Sequence, residues 1–295
     1  MVPTRNQLKN LYINQKWSSP EIAKKFNCDP TFIRKKLREH NIPIRSIGDA
    51  LALSNNSPYF LKDFNGNLQQ KSYLIGIRLG DLHVRKLSKS NYTILLQANS
   101  TQKEFIQLIN FLFSPYSIMR KSDPDKKGAV CIRGSLNKSF DFLINKNDVI
   151  EPWILKNNKN FAAFLAGYID AEGSFCLCGG DAVFGINSQD KNILRQIREK
   201  LIGLKIFLRP PLLARKEGVR DKNGVRSNKD IYSIRIYRKD AILKLIDLIG
   251  PYLRHKDKLR RTKLIIENIV TRNKQYNNRQ DNRFYKLYLQ EGINI

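Results

Sequence analysis

Two acidic residues offer the chemistry in this chain. Asp81 closes the stretch LIGIRLGD and Glu172 closes LAGYIDAE, each five positions after a glycine, Gly76 and Gly167, so the two acids stand 91 residues apart. Carboxylates are hard oxygen donors, and a pair of them brought together beside phosphate oxygens suits a divalent cation such as Mg2+. Without a cation, two like charges at one place raise at least one of the two pKa values. Whether the acids meet depends on the helices that carry them.

Those helices are built to touch. Gly76 and Gly80 lie four apart on one face of the first, and Gly167 and Ala171 four apart on the second, where small side chains let another helix approach almost to backbone contact. Each acid then falls at a helix C-terminus, where the dipole disfavours negative charge, so a positive group is expected nearby. The equivalent of Asp170 in the first copy is Leu79, which argues for a hydrogen bond capping the opposing helix or sheet rather than a metal ligand at Asp170. After Gly173 the pattern changes to period two, with Phe175 and Leu177 facing one way and Ser174, Cys176 and Cys178 the other. After Asp81 a strand pair sets Ile94, Leu96 and Ala98 against Thr93, Gln97 and Asn99, one packed side and one polar side, and His83 and Arg85 share the face of Ser174 and Cys176. LQANSTQKEFI from Leu96 overlays FGINSQDKNIL from Phe184, placing Asn99 on Asn187 at a register of 88 rather than 91. Helices from Gln102 to Phe113 and from Asp190 to Leu201 follow, and Ser233 and Arg235 later alternate with Ile234 and Ile236. An internal duplication of this size predicts two half-domains about a pseudo-twofold axis.

Size and charge set the partner. The chain has 295 residues and a formal net charge of +27, with 41% apolar and 10% aromatic residues, enough for two or three domains with cores. Such an excess points to a polyanion, and nucleic acid is favoured over membrane because no apolar run of spanning length and no basic amphipathic helix with an aromatic face is present. No signal-peptide core is visible at the N-terminus. The four cysteines, Cys28, Cys131, Cys176 and Cys178, lack the spacing of a zinc or disulfide framework. The expected location is intracellular and reducing, with bacterial cytoplasm and organelle equally open.

Residues 1–45 read as a small all-α unit of three helices. Ser19 and Pro20 start the second, Asn27 and Cys28 turn, and Asp29 and Pro30 start a third that buries Phe32, Ile33 and Leu37 and presents Thr31, Arg34, Lys35 and Arg38. This resembles a helix-turn-helix, whose second helix lies in a major groove. Ile42 to Arg45 reads as an extended arm reaching a minor groove. Residues 46–66 read as a partly ordered linker, 67–158 and 159–270 as the two halves, and 271–295 as a C-terminal extension.

LAGYIDAEG, from Leu165 to Gly173, together with the looser LIGIRLGDL, from Leu74 to Leu82, resembles the signature of the LAGLIDADG homing endonucleases in their single-chain, two-motif form. Leu82 stands where glycine is usual, and Arg78 replaces an apolar residue. The resemblance covers residues 67 to 270. It implies an α+β fold of two αββαββα half-domains forming a β-saddle whose ribbons lie in the major groove, so His83, Arg85, Thr93, Gln97, Asn99, Ser174, Cys176, Cys178, Asn187, Ser233 and Arg235 are expected to read bases. It implies Mg2+ at Asp81 and Glu172, a monomer acting on double-stranded DNA, and a metal-dependent double-strand cut across the minor groove of a long pseudo-palindromic target. The family also places a lysine after a proline-aromatic turn near the end of each half. PYLRHKDK puts Lys256 there, and PWILKNNK offers Lys156 beside Asn157 and Lys159. Two alternatives stay open: an intron RNA-splicing cofactor, since a basic saddle binds either nucleic acid, and a catalytically silent DNA-binding regulator, against which retention of both acids argues.

Overall fold

The computed structural model describes residues 2–53, 61–87, 92–220 and 224–275. Their buried apolar side chains fall into two clusters, a small one at the N-terminus and a large one through the rest. In the small cluster, α1 (Arg5–Lys9) is capped reciprocally by Thr4 and Gln7 and runs on as a wider π turn over Asn10–Asn14. α2 (Ser19–Phe26) is capped by Ser18, one residue earlier than expected, because Ser18 and Glu21 satisfy each other's backbone N–H in a capping box. Asn27 takes the left-handed conformation at φ 49°, and Asp29 caps α3 (Pro30–Glu39). Leu8, Leu11, Tyr12, Ile22, Ala23, Ile33 and Leu37 close the core.

The expected arm does not extend. Ile42 is buried in the same core, and the Arg45 guanidinium lies 4.1 Å over the Tyr12 ring while donating to the carbonyls of Lys16, Trp17 and Tyr12. Those three carbonyls and one aromatic face hold the cation more firmly than solvent can. α4 (Ile47–Ala52) follows, and residues 54–60 of the expected linker lie outside the described residues. Beyond them, Leu61 is buried and Phe64 packs on Tyr116, Phe140 and Phe142, so residues 61–66 belong to the body rather than to a linker.

The body repeats one plan. α5 (Leu68–Leu79), β1 (His83–Lys86), β2 (Thr93–Ser100), α6 (Lys103–Phe113), β3 (Arg120–Lys121) and β4 (Val130–Asn137) form the first copy, with antiparallel strand order β1-β2-β4-β3. After α7 (Pro152–Lys156), the second copy is α8 (Asn158–Glu172), β5 (Gly173–Cys178), β6 (Asp181–Ser188), α9 (Lys191–Gly203), β7 (Leu212–Arg215), β8 (Ile231–Ile236) and α10 (Lys239–Ile249), with order β5-β6-β8-β7. The α+β class and the duplicated topology are as expected, with one departure. Where the second copy has α10, the first has only a 3-10 turn over Lys138–Leu143, in which Phe140 and Leu143 reach the core at the three-residue spacing such a turn aligns. α11 (Lys256–Gln275) runs beside the β5–β6 hairpin and continues past residue 270, so the expected extension begins as helix; residues 276–295 lie outside the described residues. No helix among the described residues is long and apolar enough to cross a membrane.

α5 and α8 meet back to back through their glycines. A Cβ on Gly76 would lie 2.2 Å from the Phe164 carbonyl oxygen, and one on Gly167 would lie 2.1 Å from the Tyr73 carbonyl oxygen. Phe164 stands 91 residues after Tyr73, as Gly167 does after Gly76, so the contact is reciprocal about a pseudo-twofold axis. Each sheet packs one face on helices, burying Ile94, Leu96, Ile132 and Leu136 in the first and Phe175, Phe184, Ile186 and Ile234 in the second. The alternate residues are left on the other face.

Candidate active site

The glycine contact carries the two acids to one place. α5 ends at Leu79 and α8 at Glu172, and a Cβ on Gly80 would lie 2.3 Å from Ala171 Cβ and 3.2 Å from Glu172 Cγ, so the residue preceding Asp81 rests on the stem of Glu172. Burial, and then the Asp81 charge, push the Glu172 carboxyl up to about 7. Desolvation by its surroundings also raises Asp81, although the residue stays exposed at its outer side. The positive groups expected at these helix ends are present: Lys146 Nζ donates to the Gly80 carbonyl at 2.7 Å, and Lys258 Nζ donates to the Gly173 carbonyl. Both ammonium groups act against the rise in the two acids, and burial lowers Lys258 itself.

These are not the lysines expected. Lys256 is exposed at the first position of α11, and Lys258 turns inward, because residues two apart on a helix point to nearly opposite sides. Lys156 is likewise exposed, since α7 buries Ile154 and leaves Lys156 to solvent; Lys146, in the segment between the 3-10 turn and α7, is also exposed but is the first-half lysine that bonds the Gly80 carbonyl beside Asp81. Asp190 is a further carboxylate whose charge reaches Glu172; its backbone N–H donates to Ser188 Oγ at 3.1 Å, and Tyr168 Oη donates to the same oxygen at 2.8 Å. Asp170 does cap, but at the start of α11 rather than on the opposing helix or sheet. It is 1% exposed, accepts from Tyr73 Oη at 2.7 Å and from the backbone N–H groups of Arg254 and His255 at 2.8 and 3.1 Å, and so fixes the start of α11. Burial raises its carboxyl to about 6.

The donor set suits a hard divalent cation. Among the described residues no group of three or more His, Cys, Asp or Glu that could hold a metal converges; the carboxylates at the helix contact are Asp81 and Glu172, with the charge of Asp190 reaching the latter. Mg2+ keeps several waters and is held by one or two carboxylates together with substrate phosphates, which asks for that much. Burial is the larger cause of the raised Glu172 carboxyl, and the Asp81 charge, the second, is the part that a cation would relieve.

Both open sheet faces lie beyond this site. Across the first sheet, His83 pairs with Gln97, Gln97 with Arg133 and Arg133 with Arg120, and Arg85 lies in the next row with Leu95 and Ser135, around a groove of about 240 Å3. His83, Arg85 and Asn99 are exposed and Gln97 is half-buried. Thr93 is a correction: it is buried, on a strand that α4 contacts. On the second sheet Ser174, Cys178, Asn187 and Arg235 are exposed and Cys176 is half-buried. Ser233 is the second correction. Flanked by Asn187 and Leu212 on neighbouring strands it is buried, and its hydroxyl accepts from Arg235 Nε at 3.4 Å. Arg120 and Arg133 were not anticipated, although Cys131, Arg133 and Ser135 alternating with Ile132 and Leu136 carry the signal. The hairpin after β7 closes on itself through Gly218 and Ser227 and presents Lys216, Arg220 and Arg226. On the N-terminal unit, Thr31, Arg34, Lys35 and Arg38 are all exposed along α3.

No protein-family model and no curated protein matches the sequence. Among solved structures, the chain is similar to I-DmoI in complex with DNA and Mn, at 20% identity over 62% of this chain and 97% of that one, TM-score 0.44. It is similar to the homing endonuclease I-WcaI bound to its DNA recognition sequence, at 23% identity over 73% and 98%, TM-score 0.45. It is also similar to full-length DUF199/WhiA from Thermatoga maritima, at 17% identity over 72% and 63%, TM-score 0.46.

Proposed function

We propose that this protein is a sequence-specific homing endonuclease that makes a metal-dependent double-strand cut in a long, pseudo-palindromic DNA target. The observation that carries the reading is the meeting of Asp81 and Glu172 at the reciprocal helix contact, each beside a carbonyl-anchored lysine, between two open faces bearing arginines. Asp81 and Glu172 would hold Mg2+ together with phosphate oxygens, and the ion would supply an activated water and neutralise charge at the scissile phosphate. The chain's own groups do the rest. Lys146 and Lys258 oppose the rise in both acids and offer positive charge to the phosphates. His83, Arg85, Gln97, Asn99, Arg120 and Arg133 on one sheet, with Ser174, Asn187 and Arg235 on the other, read base edges and phosphates, each half serving one half-site and one strand. The small N-terminal unit lays α3 in an adjoining major groove through Thr31, Arg34, Lys35 and Arg38, and the protein acts as a monomer whose duplicated halves stand in for a dimer.

Selecting cleaved sites from a randomised duplex library in Mg2+ tests activity and target together. Asp81→Asn with Glu172→Gln should leave DNA affinity largely intact and abolish cutting. Cutting that survives in the double variant removes these acids from the reaction, and a protein that binds structured RNA but returns no cleaved duplex is the splicing cofactor instead.

A further inference from the structure

Arg78 is the least expected side chain in the molecule. It lies on α5 three residues before Asp81, is 6% exposed, and has no carboxylate partner among the described residues. All its hydrogen bonds go to main-chain carbonyls of two segments. Nη1 donates to Leu82 at 2.7 Å and Nη2 to Val84 at 3.5 Å, on the chain leaving Asp81; Nε donates to Leu143 at 2.6 Å and Nη2 to Ile144 at 3.2 Å, on the chain arriving at Lys146. Lys146 then donates to Gly80 at 2.7 Å, which closes a ring around Asp81. A buried guanidinium is costly to keep without an anion, and its donors are worth that cost only where they fix something.

The second half has no such device. The residue 91 positions after Arg78 is Ile169, fully buried and without donors, and Lys258 is instead set by Asp170, which holds the backbone just ahead of it. The two lysines are therefore positioned by unrelated means, a buried cation in one half and a buried acid in the other.

We infer that Arg78 is the positioning residue of the first half-site, holding Asp81 and Lys146 in register with each other, and that its removal disables the cut on one DNA strand while sparing the other. The inference rests on the nuclease reading. Because a lost clamp displaces Asp81 and Lys146 directly, while Glu172 feels it only through the Gly80 contact and their charges and Lys258 keeps its own anchor, the effect is a strand bias rather than a uniform loss.

The test uses the full chain and a supercoiled plasmid bearing the selected target, with each strand end-labelled. Arg78→Met should slow cutting of one strand by about tenfold or more, the scale at which small misplacements act on rate, so that nicked circles accumulate. Affinity for the target in Ca2+ should stay unchanged, and Arg78→Lys should give an intermediate bias. Lys146→Met, a side chain at the edge of the fold, should bias the same strand. Independently of cutting, hydrogen exchange in Arg78→Met should quicken at residues 82–86 and 143–147 and stay unchanged at 173–178. Equal slowing of both strands by Arg78→Met, or a Lys146→Met bias toward the other strand, overturns the inference and leaves the nuclease reading in place. A wild-type chain that cuts neither strand ends both.

Discussion

Glu172 ionises against two obstacles, its own burial and the charge of Asp81, and its carboxyl is raised from 4.5 to about 7. The consequence for stability has a definite sign. Between those values the folded chain keeps a proton that the unfolded chain has released, so stability falls as pH rises through the window and the loss is complete above about 7. In metal-free buffer Glu172→Gln should therefore be more stable than wild type by on the order of 2 kcal/mol at pH 8, with the gap closing toward pH 5. Urea unfolding at both values measures it, and a gap that does not grow with pH contradicts the raised carboxyl. The proposed nuclease reading predicts the converse for cutting, which should rise as pH passes about 7 if Glu172 acts ionised. At this scale the sequence located both acids and a capping role for Asp170, though not the helix it caps, because those positions sit inside a periodic motif. It misplaced both lysines. One error was two residues along a helix, Lys256 for Lys258, and the other lay in a segment with no period to read, where Lys146 bonds the Gly80 carbonyl and Arg78 ties down the Leu143 and Ile144 carbonyls just before it.

At the scale of elements, α5 and α8 fit only because Gly76 and Gly167 carry no side chain. Gly167→Ala would drive a Cβ to 2.1 Å from the Tyr73 carbonyl oxygen, main-chain atoms that cannot turn aside. It should cost about 3 kcal/mol by calorimetry or urea titration and, by parting the helices, lower cutting at temperatures where the variant is still folded. Gly203→Ala at the end of α9 meets nothing within 4 Å and should instead stabilise by about 0.5 kcal/mol. If both substitutions behave alike, the contact is looser than drawn. Strand alternation was equally legible: β2 and β8 present the expected faces. Alternation does not reveal what lies on top of a strand, which is why Thr93 and Ser233 carry the right parity and are nonetheless covered.

At the scale of the molecule, the N-terminal bundle and the body keep separate cores, so deleting residues 1–45 should leave the body folded. If α3 lies on DNA, the deletion shortens the footprint, weakens binding and lowers the salt dependence by about two to three phosphate contacts' worth, while slow cleavage persists. An unchanged footprint and salt slope would show that Arg34, Lys35 and Arg38 face solvent in the complex. A net charge of +27 attracts any polyanion non-specifically, so the salt slope, not affinity alone, separates these outcomes.

What the sequence determined by itself was whatever repeats locally: glycines four apart, an acid at the same step in both copies, alternation in the strands, caps at the helix starts. Those patterns sufficed for the duplicated α+β plan and for the pair of acids, because helix and strand geometry turn spacing directly into facing. Tertiary structure alone decided which cations face the acids, that Arg45 folds back onto Tyr12, and that a buried Arg78 ties two distant segments together. Each of those depends on carbonyl groups brought close from far along the chain, and no local period records where a backbone oxygen will be left without a partner.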